Sequence, residues 1–326
     1  MQLRRRLLQL LSDGQFHSGE ALGVTLGVSR MAVWKHLKAL RALGVDCEIV
    51  RGKGYRLPAA TELLDDAAIV AGADADTRAA LAAVDIQLAV DSTNNRLREQ
   101  ALQGAPAGSV CLAEMQHAGR GRHGRAWVSP FAANLYLSLL WRSTAGAASL
   151  GGLSLVTGIA VLRSLHDFGI DSAGLKWPND ILADSAKLAG ILIDVVGESS
   201  GPCAVIIGVG VNVAMPQPAA ANIDQTWTDL QTLTGHADIS RNRLAARLLD
   251  HVLPAVAEFE AQGLQPFLEE WHRHDIVSGR DVDLRLATGV IRGTARGIDA
   301  GGALLVDTAA GRRRFVSGEV SVRIAS

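Results

Sequence analysis

The densest run of chemically capable residues is Gln116-His117-Ala118-Gly119-Arg120-Gly121-Arg122-His123-Gly124-Arg125-Ala126-Trp127. Gly119, Gly121 and Gly124 match G-x-G-x-x-G, a dinucleotide fingerprint. That match alone is weak, and two features argue against a nicotinamide-dependent enzyme. The loop follows an internal strand instead of opening the first βαβ unit, and Arg120, Arg122 and Arg125 fill its variable positions. Glycines let backbone N–H groups approach oxyanions, and arginine forks bind carboxylate or phosphate bidentately. Three glycines and three arginines within residues 119–125 suit nucleotidyl transfer onto a carboxylate. There two anions must meet against their own repulsion, and fixed cations stabilise the departing pyrophosphate. The competing reading, a solvated basic loop, is disfavoured by the coincidence of the two residue types.

Three smaller clusters accompany this loop. Leu175-Lys176-Trp177-Pro178-Asn179-Asp180 ends a strand at Pro178 and presents Asn179 and Asp180. Lys187 follows, ahead of an apolar strand in which small Ala189 and Gly190 leave room for a bound group. A lone lysine before a strand is ordinarily solvated, so this cluster gains weight only beside the others. Asp91-Ser92-Thr93-Asn94-Asn95 places short hydrogen-bonding side chains at a strand end, although Ser92 or Thr93 would serve equally as the N-cap of a helix through Leu97. Gly208-Val209-Gly210-Val211-Asn212-Val213 sets glycines inside a strand, a sign of close backbone approach.

The elements that must hold these residues follow from periodicity. The chain has 326 residues, 48% of them hydrophobic, enough for a real core. From about residue 64 to 272, helical stretches alternate with the apolar runs Ser109–Glu114, Leu135–Trp141, Leu188–Val195 and Val205–Val213, the pattern of an α/β domain. Residues 277–326 are rich in β-formers and turn glycines and read as a small all-β barrel or sandwich. The longest apolar stretch outside the N-terminus, Ala204 to Met215, holds glycines and Asn212 and cannot span a bilayer. The short apolar run after Arg4-Arg5-Arg6 is stopped by Ser12-Asp13-Gly14, so no secretory leader is expected. Cys47, Cys111 and Cys203 are far apart, without metal-ligand spacing; no resident metal site is expected, and a reducing cytoplasm is.

The net charge of −1 favours neither nucleic acid nor membrane, but it hides an asymmetry. The first 57 residues carry ten Lys and Arg against Asp13, Glu20, Asp46 and Glu48. Within them the pattern reads helix, helix, helix, hairpin. Ser18 and Ser29 are N-caps of the second and third helices, with a tight turn at Gly27-Val28 between. Val33, Leu37 and Leu40 share an inward face, while Arg30, Trp34, Lys38 and Arg41 form a stripe on another. Ile49-Val50 and Tyr55-Arg56-Leu57 flank a glycine-flexed tip bearing Arg51 and Lys53. This is the footprint of a winged helix, its third helix entering the major groove and its wing meeting phosphate.

Together these residues resemble the biotin–protein ligases, in particular the bifunctional type that doubles as the biotin operon repressor. The resemblance runs nearly end to end: the wing Arg51-Gly52-Lys53-Gly54-Tyr55, Asp91 through Asn94, Gln116 through Trp127, Lys176 through Asp180, Lys187 through Leu192, Gly208 through Asn212, and Ser317-Gly318-Glu319. It implies a mixed α/β (α+β) chain with a winged helix-turn-helix domain at 1–60, a biotin/lipoyl-ligase-type catalytic domain at 64–272 and an SH3-like β-barrel at 277–326. It also implies that ATP and biotin, with Mg²⁺, give biotinyl-5′-AMP, and that biotin then passes to one lysine of a biotin carboxyl carrier protein.

Carried over residue by residue, the resemblance assigns substrate contacts to Ser92, Thr93, Asn94, Gln116, Gly119, Arg120, Gly121, Arg122, Lys187, Gly190 and Asn212. Arg122, Lys187, Lys176 and Asp180 are the expected catalytic residues, Lys187 steadying the activated carboxyl. The Pro/Ala-rich stretch 216–221 resembles a loop that folds over the adenylate, with Trp227 covering adenine; an ordinary helix start there is an equal reading. Arg323 is expected to reach toward the nucleotide. Ser29, Arg30, Trp34, Lys35, Lys38, Arg51 and Lys53 are the expected DNA contacts, to operator DNA bound by a homodimer. Two other functions stay in view, a lipoate–protein ligase and a ligand-sensing regulator without ligase activity.

Overall fold

In the computed structural model, the described residues are 2–45, 47–57, 61–197, 201–221, 223–236, 239–286, 289–317 and 321–324. Asp46, residues 58–60 and Gly318-Glu319 lie outside them.

Three helices open the chain: α1 (Gln2–Leu11), α2 (Gly19–Leu26) and α3 (Arg30–Ala42). Ser18 Oγ accepts from the Ala21 N–H and Ser29 Oγ from the Ala32 N–H, so both expected caps form. Gly27, at φ 69°, turns the chain between α2 and α3. Val33, Leu37 and Leu40 pack on Leu7, Leu8, Leu11 and Leu22 in a small separate core. The opposite stripe of α3 is exposed, with Lys38 Nζ 5.4 Å from the Trp34 ring centroid. Strands β1 (Glu48–Val50) and β2 (Gly54–Arg56) pair antiparallel as the wing, which is tied back by the His17–Tyr55 bridge.

The second unit opens with α4 (Asp66–Gly72), α5 (Ala75–Ala80), β3 (Ala83–Gln87), α6 (Thr93–Leu102), β4 (Ser109–Ala113) and β5 (Leu135–Ser143). It continues with α7 (Leu153–His166), β6 (Ala173–Lys176), β7 (Asp180–Ala183), β8 (Ala186–Val196) and β9 (Cys203–Val211). Short helices α8 (Gln217–Ala220) and α9 (Leu230–Thr234) lead to α10 (Arg241–Gln262) and α11 (Leu268–His274). The strands form a seven-stranded sheet, β3-β4-β5-β9-β8-β7-β6, parallel only at β3–β4, where α6 makes the crossover. Leu137 and Leu139 of β5 sit in register with Val209 and Ile207 of β9. With Ile191 of β8 they join the apolar side chains of α7 and α10 in the main core. In a second, smaller cluster, Cys111, Leu140, Ala204 and Ile206 pack with Leu97 and Ala101 of α6.

The last five strands are β10 (Asp281–Leu286), β11 (Gly289–Ile298), β12 (Leu304–Thr308), β13 (Gly311–Phe315) and β14 (Ser321–Ile324). The all-β expectation holds, with one correction. The described strands make an open antiparallel sheet, β13-β12-β11-β10-β14, with no closure into a barrel. A register shift between Ala295 and Ile298, with Gly297 at φ 78°, bends β11, and β13 is left as an edge bearing exposed Arg312, Arg313 and Arg314. Charged side chains on an edge strand discourage further pairing. Cys47, Cys111 and Cys203 are buried in three different clusters. Among the described residues, no helix is long and apolar enough to cross a membrane.

Glu62 and Leu64, at the head of the second unit, are pinned from both sides. Glu114, just past β4, accepts the Leu64 N–H at 2.6 Å and pairs with Arg241 at 2.9 Å; both side chains are under 5% exposed. Arg241 also donates to the Glu62 carbonyl, and Arg5 of α1 donates to the Leu64 carbonyl. A buried ion pair adds little over a matched apolar pair, but removing one partner strands the other charge. Arg241→Ala is therefore expected to cost about 3–5 kcal/mol, while Glu114→Gln with Arg241→Met costs less than the single change. Urea unfolding midpoints check the order, and a single variant as stable as the parent refutes it.

Candidate active site

Gly190 of β8 and Gly210 of β9 are cross-strand partners on the α6 face of the sheet. A Cβ on Gly210 would lie 2.6 Å from the Trp127 indole, and one on Gly190 would lie 3.1 Å from the same ring. The ring therefore rests on a floor that only glycines provide. Gly208, two residues back, is pressed in the same way by the Asn94 carboxamide. Around this trough opens a cavity of about 560 Å³. Ser92, Thr93, Asn94, Gln116, Arg120, Gly121, Arg122, Lys176, Asp180, Lys187, Gly190, Asn212 and Trp227 all line it, gathering segments far apart in sequence. Gly119 stands behind the wall, where a Cβ would meet the Trp127 carbonyl at 2.6 Å.

One end of the cavity is built of neutral polar groups. Ser92 is the N-cap of α6, as expected, but its hydroxyl makes no capping bond. Gln116 Oε1 accepts from the Thr93 N–H at 2.9 Å, while its Nε2 donates to Ser129 Oγ at 3.0 Å. Ser138 on β5 holds Thr93 Oγ1 at 2.7 Å and Asn94 Oδ1 at 2.6 Å. Asn94 Nδ2 donates to Asp194 Oδ2 at 3.0 Å.

The other end is cationic. His123 at φ 55° and Gly124 at φ 72° turn the loop tightly, and Gly121 N–H donates to the Arg125 carbonyl at 2.7 Å. Arg120 pairs with Asp194 at 2.8 Å, Arg122 reaches Asn179 at 3.3 Å, and Arg125 reaches Ser321 of the small sheet at 3.2 Å. Lys187 Nζ lies 2.6 Å from Asp180 Oδ1, and Lys176 Nζ 3.3 Å from Asp180 Oδ2. Burial works against the Asp180 carboxylate, but Lys187 and Lys176 outweigh it and hold its pKa below the usual range. Burial lowers the Lys176 ammonium, with Asp180 opposing and Lys187 reinforcing the shift. Burial likewise lowers the Arg122 guanidinium. Lys187 Nζ also lies 5.3 Å from the Trp127 centroid, so the ring and the ammonium share the trough.

Trp227 joins Lys187 through a β-bridge, with Lys187 N–H donating to the Thr226 carbonyl and Thr228 N–H to the Lys187 carbonyl, each at 3.0 Å. The buried Asn212 amide donates to the Thr228 carbonyl at 3.0 Å and to the Lys187 carbonyl at 3.3 Å, so it braces this bridge. The 216–221 stretch forms α8, and the cavity wall on that side is Met215, Ile223 and Asp224. Arg323 sits on β14, where its charge bears on Lys176. Sequence reasoning missed Ser138 and Asp194. Their signal was a polar residue inside an otherwise apolar strand, at Leu135–Trp141 and Leu188–Val195.

The glycine floor makes a prediction that needs no ligand. Gly210→Ala should dislodge the Trp127 ring and change tryptophan emission, an effect absent in a Trp127→Phe background. Emission that changes equally in both backgrounds, or in neither, would contradict the geometry.

Comparison with known proteins follows the same three units. Residues 3–56 match the HTH domain model, 87–212 the biotin/lipoate A/B protein ligase family, and 277–323 the biotin protein ligase C terminal domain. The chain is 42% identical over 320 residues to the bifunctional ligase/repressor BirA of Escherichia coli (strain K12), covering 98% of this chain and 97% of that one. It is 31% identical over 328 residues to the BirA of Bacillus subtilis (strain 168), covering 98% of each. Among solved structures, the biotin protein ligase from Aquifex aeolicus in complex with biotin and ATP superposes with a TM-score of 0.64 at 28% identity, over 75% of this chain and all of that one. That shorter structure leaves part of this chain unmatched, whereas the BirA relatives are matched over nearly their whole length. The chain therefore belongs to the biotin protein ligases, in the family of bifunctional ligase/repressors.

Proposed function

We propose that this chain condenses biotin with ATP to biotinyl-5′-AMP, transfers biotin to one lysine of a biotin carboxyl carrier protein, and binds operator DNA as a repressor of biotin synthesis genes. The observation that carries the ligase reading is one cavity with a neutral hydrogen-bonding end and a cationic end, meeting over the Gly190–Gly210 floor. A small uncharged ring system suits the neutral end, where Ser92, Thr93, Asn94 and Gln116 offer both donors and acceptors. A triphosphate suits Arg120, Arg122, Arg125, Lys176 and Lys187.

The chemistry asks chiefly for orientation and charge. A carboxylate oxygen of biotin attacks the α-phosphorus of ATP, the bond to the β-phosphate oxygen breaks, and pyrophosphate leaves. Lys187, held over the trough by Asp180, faces the carboxylate, and Arg122 faces the phosphates. The neutral acceptor amine then attacks the acyl carbon, the anhydride C–O bond breaks with its electron pair passing to the AMP oxygen, and the proton lost from the nitrogen goes to solvent. No side chain becomes acylated, so no nucleophile–base pair is needed. With its pKa held down, Asp180 orients the two ammoniums rather than taking a proton.

Among the described residues, no group of three or more His, Cys, Asp and Glu could hold a metal ion, and Asp180 is already shared by two lysines. That donor set fits Mg²⁺ arriving on the triphosphate oxygens, with at most one carboxylate added by the protein, where it would offset phosphate charge. The functional units of this reading are 1–60, 64–272 and 277–326, in a cytoplasmic protein that meets a palindromic operator as a homodimer.

The ligase test is mass spectrometry of a biotin carboxyl carrier domain incubated with the chain, biotin and MgATP. The carrier should gain one biotin only when ATP is present, and Arg122→Ala should abolish the gain while keeping the melting temperature. No gain from the folded parent, with gain from lipoate instead, would replace biotin by lipoate. A folded chain that modifies no carrier would be a ligand sensor.

For the DNA role, exposed Arg51 and Lys53 on the wing are the phosphate contacts. Replacing both by alanine should lower the slope of log affinity against log salt on non-specific duplex DNA by about two, close to one per lost phosphate contact. Fluorescence anisotropy measures it, and an unchanged slope removes the wing from the interface.

A further inference from the structure

Asp194 does not line the cavity, yet its carboxylate touches two residues that do. Its Oδ2 accepts from Asn94 Nδ2 at 3.0 Å and from Arg120 Nη2 at 2.8 Å. The same Arg120 nitrogen donates to Asn95 Oδ1 at 2.8 Å, and Asn95 Nδ2 donates to Asp91 Oδ2 at 2.6 Å. One carboxylate on a central strand thus ties together the first turn of α6 and the arginine–glycine loop.

The loop needs such a tie. Residues 123–126 are exposed, and Arg120, Arg122 and Arg125 repel one another along a short stretch of chain. Arg122 holds Asn179 at 3.3 Å and Arg125 holds Ser321 at 3.2 Å, both neutral partners. Among the described residues, Arg120 is the loop arginine with an ion-pair partner, and that partner stands on β8, between β7 and β9 in the sheet. We infer that Asp194 is a positioning residue of the adenylation site: it latches Arg120, and with it the loop, beside Asn94, so that the adenylate is retained until the acceptor lysine arrives.

This inference rests on the ligase reading and adds a consequence of its own. The Arg120 and Asp194 side chains are 39% and 22% exposed, so dissolved ions reach the pair. Attraction between partly exposed charges is screened by salt. Adenylate release from the parent chain should therefore quicken as salt rises, a response that a purely packing role would not produce.

The test measures dissociation of biotinyl-5′-AMP from the full-length chain between about 0.05 and 0.5 M NaCl. Asp194→Ala should release adenylate about tenfold faster at low salt, with a flat salt response. Asp194→Glu should restore slow, salt-sensitive release. Asp194→Ala combined with Arg120→Ala should release no faster than Arg120→Ala alone, because both changes break one contact. Release from Asp194→Ala within about twofold of the parent, well short of the tenfold expected for a lost charged contact, or additive effects in the double variant, would overturn the latch. Should Asp194→Ala fail to fold, Asp194→Asn carries the test, since it keeps the shape and loses the charge: faster, flatter release supports the latch, and parent-like release and slope overturn it. A parent chain that forms no adenylate sinks the ligase reading and the latch together, whereas a parent that forms it beside an unaffected Asp194→Ala sinks the latch only.

Discussion

Gly190 and Gly210 face each other across β8 and β9, and the sheet they share has to do two opposed things. One face must be close-packed, because α7 and α10 bury their apolar stripes on it. The other is hollow above its glycines, where the Trp127 ring and the cavity beside it take up the space. A strand alternates its side chains between faces, so one sequence can meet both demands. In Gly208-Val209-Gly210-Val211 the valines fill the core and the glycines empty the trough. Each glycine in a strand costs roughly 0.5–1 kcal/mol relative to alanine, and each buried valine recovers more through the area it removes from water.

The charges of the cavity obey a second constraint. Arg120, Arg122, Arg125, Lys176 and Lys187 all line it, and left unpaired they would repel one another. Asp180 and Asp194 answer this differently. Asp180 is buried and shared between Lys176 and Lys187, so it belongs to the permanent frame. Asp194 is partly exposed and holds a single loop arginine. Neither carboxylate leaves a buried charge without a partner, the arrangement that would be most destabilising. The cavity thus holds its cations in place with the charge of three of them, Arg120, Lys176 and Lys187, balanced by carboxylates, the kind of arrangement electrostatic preorganisation requires.

Much of this was legible in the residues. Local signals were the most faithful: Ser18, Ser29, Gly27 and the wing glycines act through neighbours a few positions away, and each does what its type implies. The four apolar runs became β4, β5, β8 and β9, as short continuous apolar runs bounded by turn residues imply. The cavity's arginines, lysines and hydroxyls could be named because motif spacing makes them conspicuous. Ser138 and Asp194 stood out only as polar residues inside apolar runs; their roles depend on cross-strand register and on where α6 docks, neither of which is written locally. Closure of the last domain escaped for a similar reason. Strand content is a local property, but whether β13 meets β14 depends on the bend at Gly297 and on sheet twist. The Glu114 clamp joins Leu64 to a residue 50 positions away, and no periodicity announces it.

The Lys176-Trp177-Pro178-Asn179-Asp180 turn carries one more implication. Lys176, Asn179 and Asp180 serve the cavity, while Trp177, 1% exposed, donates its indole N–H to the Gly302 carbonyl of the small sheet at 3.0 Å. Ser321 and Val322 of that sheet also complete the cavity wall. The two sheets share a seam that runs through this turn, so they behave as one inheritance: recombination that exchanged the small sheet between relatives would have to carry a matching seam, or it would disturb the cavity wall on both sides of it.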